Sequence, residues 1–141
     1  MGEQQIRDGG CLCGGVRYRV EGEPSPASYC HCHMCQRAVG APVTAWASFP
    51  VGQFQILQGR VVEYASSPRI LRGFCGTCGA SLTARYTLRG ERWIDITIAT
   101  LDDPSGMIPL SHIHMSSRVP WFHIADELPR YNDQGKDPMP D

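Results

Sequence analysis

The chain is constrained most by the placement of its seven cysteines: Cys11 and Cys13, then Cys30, Cys32 and Cys35, then Cys75 and Cys78. In an extended segment, side chains two residues apart share a side. Cys30 and Cys32 therefore face one centre, and the two-residue spacer lets a turn return Cys35 to it. Cys75-Gly76-Thr77-Cys78-Gly79 is a C-x-x-C followed by glycine, the strongest single zinc-knuckle signature in the chain. Cys11-Leu12-Cys13 is bracketed by Gly-Gly on both sides, which lets the backbone curl so that amides reach the thiolates. Thiols used only as packing have no reason to cluster at ligand spacing.

Structural zinc takes four protein ligands, whereas catalytic zinc keeps an open position. The division that leaves every motif whole gives Cys11, Cys13, Cys75 and Cys78 to a closed site and Cys30, Cys32 and Cys35 to an open one. A rival division joins Cys32/Cys35 to Cys75/Cys78 as a zinc ribbon, at a spacing longer than ribbons use; spacing alone leaves it open. Three thiolates outweigh the charge of a zinc ion and make it a weak activator of water. Such a centre suits a soft sulfur ligand instead. Basic residues are then expected nearby, and Arg37 is the closest in sequence. His31 and His33 point away from the centre by alternation, toward supporting or surface roles. His112 and His114 share one side of an extended segment, as pocket lining or packing. Trp46, Trp93 and Trp121 read as core.

The chain's 141 residues suit one domain, with a core of about 10–131 and tails at 1–9 and 132–141. Short strands are expected at 16–20, 43–49, 81–86 and 93–100; 54–57 with 61–64 read as a hairpin about Gly59, and 70–74 leads into the Cys75 knuckle. Residues 36–40 read as a turn or short helical piece ending at Gly40. A net charge of −1 counts against a nucleic-acid partner. The first ten residues lack an apolar stretch, and no run approaches a membrane span. With cysteines suited to a reducing compartment, a cytoplasmic location is expected.

G-x-C-x-C-G-G-V, Y-C-H-C-x-x-C-x-x-x-x-G-A-P, F-C-x-x-C-G-A and the late P-W-F-x-I-x-x-x-L-P-R-Y together resemble the glutathione-dependent formaldehyde-activating enzyme family. The resemblance implies a mainly β, β-tent-like fold of short antiparallel strands stapled by zinc–cysteine sites. It implies two zinc ions per chain, a structural one on Cys11, Cys13, Cys75 and Cys78 and a catalytic one on Cys30, Cys32 and Cys35. The implied activity is that of a carbon–sulfur lyase run in reverse, joining glutathione to formaldehyde as S-hydroxymethylglutathione. The alternative is a non-catalytic zinc module that binds a protein or nucleic acid.

Overall fold

The computed structural model describes residues 5–87 and 92–134. Two sheets dominate the fold. The smaller joins β1 (Ile6–Gly10), β2 (Arg17–Glu21) and β5 (Phe54–Gln58) in the order β1-β2-β5. The larger contains β3 (Ser28–Cys30), β4 (Thr44–Pro50), β6 (Val61–Ser67), β7 (Ile70–Cys75), β8 (Ser81–Tyr86), β9 (Trp93–Thr97) and β10 (His112–Ile113), in the order β10-β3-β4-β9-β8-β7-β6. Every pairing is antiparallel except β10 with β3. The architecture is therefore mainly β, as expected. One helix, α1 (His33–Val39), follows the central cysteines and ends on Gly40 at φ 68°, the left-handed stop that glycine permits.

Register assigns the two faces of the large sheet. Ala47 pairs with Ile96 and Phe49 with Ile94, so these apolar side chains point one way. Tyr18 and Val20 of β2 join Ala47, Phe49 and Ile96 in the main core, all five at 1% exposure or less. The buried Tyr18 hydroxyl is satisfied by Thr100 Oγ1 at 2.7 Å, which removes the cost of burying it. The opposite face carries the side chains between these. Tyr64 pairs with Arg72, Arg72 with Ala84, Ala84 with Asp95 and Asp95 with Ser48, a largely polar row across five strands. Farther along β4, Ser28 pairs with Trp46 and Cys30 with Thr44, so Cys30 opens onto this second face.

Three expectations are corrected. Residues 6–9, read as part of a tail, belong to β1 and pair with β2. Asp8 there forms an ion pair with Arg19 at 2.7 Å. The expected hairpin about Gly59 does not exist: β5 pairs with β2 in the small sheet and β6 with β7 in the large one. Gly59 is a crossing between sheets. It holds φ +76°, and a Cβ there would stand 2.1 Å from the Gly15 carbonyl oxygen. Period-two patterning identifies each strand but not its partner. Finally, of the three tryptophans only Trp46 is core, at 7% exposure, whereas Trp93 and Trp121 are 43% and 69% exposed. The expected tail at 132–141 lies outside the described residues from 135 onward.

Candidate metal centres and their surroundings

The structure gathers the sulfurs into two groups, Cys11, Cys13, Cys75 and Cys78 in one and Cys30, Cys32 and Cys35 in the other, each with all sulfurs within 4.8 Å. Cys32/Cys35 and Cys75/Cys78 thus fall into different groups, and the ribbon arrangement is not formed. All seven are free thiols. The Sγ–Sγ separations are 3.6 Å for Cys11–Cys13, 3.8 Å for Cys13–Cys75 and 3.6 Å for Cys30–Cys35. A tetrahedral zinc with Zn–S bonds of ~2.3 Å sets its sulfurs about 3.8 Å apart, so both groups fit a metal ion of that size. A disulfide needs a separation of about 2.05 Å.

The four-cysteine group is built from two turns that aim amides at sulfur. The Val16 N–H donates to Cys11 Sγ at 3.2 Å and the Gly15 N–H to Cys13 Sγ at 3.4 Å. On the other side, the Thr77 and Cys78 N–H groups donate to Cys75 Sγ, each at 3.4 Å. Gly79 closes that knuckle at φ +79°, and its N–H bonds the Cys75 carbonyl at 2.8 Å. Burial opposes ionisation of Cys11, yet the Val16 amide and the three neighbouring thiols bring it down to about 6. This is the chemistry of a thiolate ligand set.

The trio lies on the other face of the large sheet. Cys30 ends β3, Cys32 is the N-cap of α1 and Cys35 sits in its first turn. Cys32 Sγ accepts the Cys35 N–H at 3.1 Å, the capping bond that serine or aspartate usually supplies. Cys30, Cys35, Trp46 and Ala84 form a second buried cluster, with Cys32, Ile70 and Ile113 against it. Hydrogen bonds from the Cys30 and Cys35 thiols, the Cys35 amide and the Arg72 charge pull the Cys32 thiol far below its ordinary range. In exchange, Cys30 holds its proton more tightly.

The arginine at the trio is Arg72, not Arg37. Arg37 lies exposed on α1, whereas Arg72 reaches up from β7 and donates from Nη2 to Cys35 Sγ at 3.5 Å. Its Nε bonds Ser66 Oγ at 3.1 Å. The residue is 8% exposed, and among the described residues its Nη1 is buried without a partner. Sequence distance hid this contact; the register Arg72–Ala84–Asp95 creates it. Tyr86 stands on the same face. Its phenol is pushed up to about 12 by burial, then by the negative charges of Asp95, Cys30 and Cys35. Thr44, the strand partner of Cys30, also keeps a buried hydroxyl without a partner among the described residues. It lines a cleft of about 390 Å³ that runs past Ala38, Val43 and Ala80.

The histidines take the supporting, surface and packing places expected of them, except that His114 parts from His112. His31 is fully buried at 1% exposure, and its Nε2 meets His112 Nδ1 at 2.8 Å. His112 Nε2 in turn donates to Asp126 at 2.9 Å. Asp126 thus orients the His112 ring, and the direction of the His31–His112 bond follows from the tautomers. Burial, then His112 and two arginines, hold the His31 imidazole down to about 4, keeping it neutral. His114 does not share a side with His112, because it turns into the left-handed region at φ 56°. His33 is exposed on α1.

The glutathione-dependent formaldehyde-activating enzyme family matches residues 6–117, which holds all seven cysteines, Arg72 and His112. The chain belongs to this family. A crystal structure of a Rhodobacter sphaeroides protein is similar to it, with a TM-score of 0.56 at 22% identity, covering 67% of this chain and 87% of that one. At that identity the likeness bears on the fold alone. No curated protein matches the chain. The family match stops before Trp121 and Asp126, so the segment that clamps His112 lies beyond the matched region. Among the described residues no helix is long and apolar enough to cross a membrane.

Proposed function

We infer that the protein is a zinc-dependent enzyme of carbon–sulfur bond chemistry, adding a thiol to an aldehyde, with glutathione and formaldehyde as its substrates. The observation that carries this reading is the asymmetry of the two cysteine groups. One offers four sulfurs and is complete, which suits a structural zinc on Cys11, Cys13, Cys75 and Cys78. The other offers three sulfurs within 4.8 Å of one another and leaves a fourth position for a ligand, which suits a catalytic zinc on Cys30, Cys32 and Cys35. A zinc bound there would supply a soft centre that takes a thiol as its thiolate.

The chain's own residues serve that ligand. Arg72 offsets the negative charge that a fourth sulfur adds, and its burial beside Cys35 strengthens the attraction. Cys32 is already disposed to the thiolate form. The cleft lined by Thr44, the strand partner of Cys30, has the size of a small-ligand site, and its wall runs on to Gly79 and Ala80 beside the four-cysteine group. A cytoplasmic location, where glutathione is abundant and thiols stay reduced, agrees with seven free cysteines. Binding of a nucleic acid is disfavoured by a net charge of −1.

The test is the rate of S-hydroxymethylglutathione formation from glutathione and formaldehyde, followed by exchange NMR with and without zinc-loaded protein. Acceleration over the spontaneous reaction, abolished in Cys32→Ser, supports the assignment. No acceleration by protein that carries both metals removes it.

A further inference from the structure

We propose that Arg72 is the residue that holds the substrate oxygen carried on the carbon bonded to sulfur. The proposal deepens the reading of the trio as a thiolate-binding centre and rests on it. Its basis is the guanidinium's incomplete set of partners. Nε is spent on Ser66 and Nη2 on Cys35, while Nη1 is buried with no partner among the described residues. A buried N–H left unpaired is costly, and more so on a charged group. Such a group in a folded protein calls for a missing partner.

Geometry narrows what that partner is. The guanidinium is planar, and Nη1 and Nη2 leave the same carbon, so the free N–H points to a spot adjacent to the Cys35 sulfur. A ligand whose sulfur occupies the open position beside Cys35 carries its next atoms within reach of that spot. Arginine only donates, so the atom received there must be an acceptor. Its planar fork serves two acceptors at once, with Nη2 on the Cys35 sulfur and Nη1 on an oxygen of the ligand held beside it.

The chemistry balances without any further reagent. The thiol gives its proton to solvent. The thiolate sulfur donates an electron pair to the carbonyl carbon, the carbon–sulfur bond forms, and the carbonyl π pair moves onto oxygen. That oxygen becomes an alkoxide facing Arg72 Nη1–H, then takes a proton from water to give the hydroxymethyl thioether. A donor aimed where charge develops acts more strongly on the alkoxide than on the neutral carbonyl.

The test uses two small ligands on the same two-carbon frame that differ by one oxygen. Thioacetate carries an oxygen on the carbon bonded to sulfur, and ethanethiol does not. Affinities for both are read from the charge-transfer band of cobalt-substituted protein, in the wild type, Arg72→Gln and Arg72→Lys. Intrinsic differences between the ligands cancel in the wild-type to variant comparison. The thioacetate preference should fall about tenfold or more in Arg72→Gln, the loss of one hydrogen bond to a charged group. Arg72→Lys keeps the cation, so metal retention and ethanethiol affinity should recover while the thioacetate preference does not. Equal losses for both ligands in Arg72→Gln, or a preference restored by lysine, would mean that Arg72 balances charge only, and overturn the proposal. A wild type that responds to neither ligand overturns it by removing the thiolate centre itself.

Discussion

Cys13 and Cys75 stand 62 residues apart in sequence with their sulfurs 3.8 Å apart. They tie the turn that leads into β2 of the small sheet to the end of β7 in the large one. A metal shared between them would fasten the two sheets at one end, and Gly59 carries the chain between the same sheets close by. The trio has no such task, since Cys30, Cys32 and Cys35 are neighbours in sequence. Loss of metal from the two groups should therefore have different consequences.

Cys75→Ser is expected to unfold or severely destabilise the domain, because structural zinc contributes on the order of 10 kcal/mol of binding energy to folding. Cys32→Ser should lose one metal and keep a cooperative thermal transition. Circular dichroism melting with metal analysis on the same samples checks both. Equal destabilisation by the two substitutions would contradict the assignment of closed and open sites.

Metal analysis of protein reconstituted with excess zinc and then desalted should give two zinc per chain. A chelator added slowly should remove the trio's metal first, because three protein ligands hold it less firmly than a closed set of four. A single release step with both ions lost together would contradict this order.

Gly59→Ala should damage the crossing between the sheets. Its φ of +76° is unfavourable for any side chain, and the new Cβ meets the Gly15 carbonyl oxygen 2.1 Å away. The expected cost is about 2 kcal/mol or more. Because the Gly15 N–H serves Cys13 Sγ, release of the structural metal should also accelerate. Gly40→Ala, at φ +68° with open space around it, should cost only about 1 kcal/mol. Denaturant melts of the two variants give the comparison.

His112→Leu leaves the buried His31 ring without its one polar partner in the structure. A loss of about 2–3 kcal/mol is expected, together with faster amide exchange at Tyr131, whose N–H bonds the His112 carbonyl at 2.9 Å. Asp126→Asn should cost under about 1 kcal/mol, because that carboxylate side chain is 39% exposed.

The cysteine motifs were readable in the sequence because ligand spacing is a local property. C-x-C and C-x-x-C bring their own sulfurs together whatever surrounds them, and the glycines beside Cys11 and Cys78 announce the turns. Strand identities were readable for the same reason: the alternation about Ile94 and Ile96 needs only the five residues Trp93–Thr97, although the strand expected to reach residue 100 ends there and Ile98–Thr100 form a 3-10 turn. What the sequence hid depends on pairing across strands. Arg72 reaches Cys35 only because β7 lies one strand from β8 and Ala84 leaves room between them. The His31–His112–Asp126 chain needs the parallel pairing of β10 with β3, which no local pattern encodes. The hairpin reading at Gly59 failed because a glycine between two strands marks a turn of either kind, and only the strand each one pairs with, β2 for β5 and β7 for β6, decides which sheet it joins.

The most direct measurement is a glutathione titration of cobalt-substituted protein, with both metal sites shown to be filled. A fourth sulfur at the trio should add sulfur-to-metal charge-transfer intensity, while the completed Cys11/Cys13/Cys75/Cys78 site stays silent. The affinity should rise as pH climbs toward the thiol's own pKa of ~8.5, because the bound species is the thiolate. Saturable spectral change with that pH dependence, lost in Cys32→Ser, is the predicted result. An unchanged spectrum at millimolar glutathione would contradict a thiolate-binding centre and leave a zinc module without thiol chemistry.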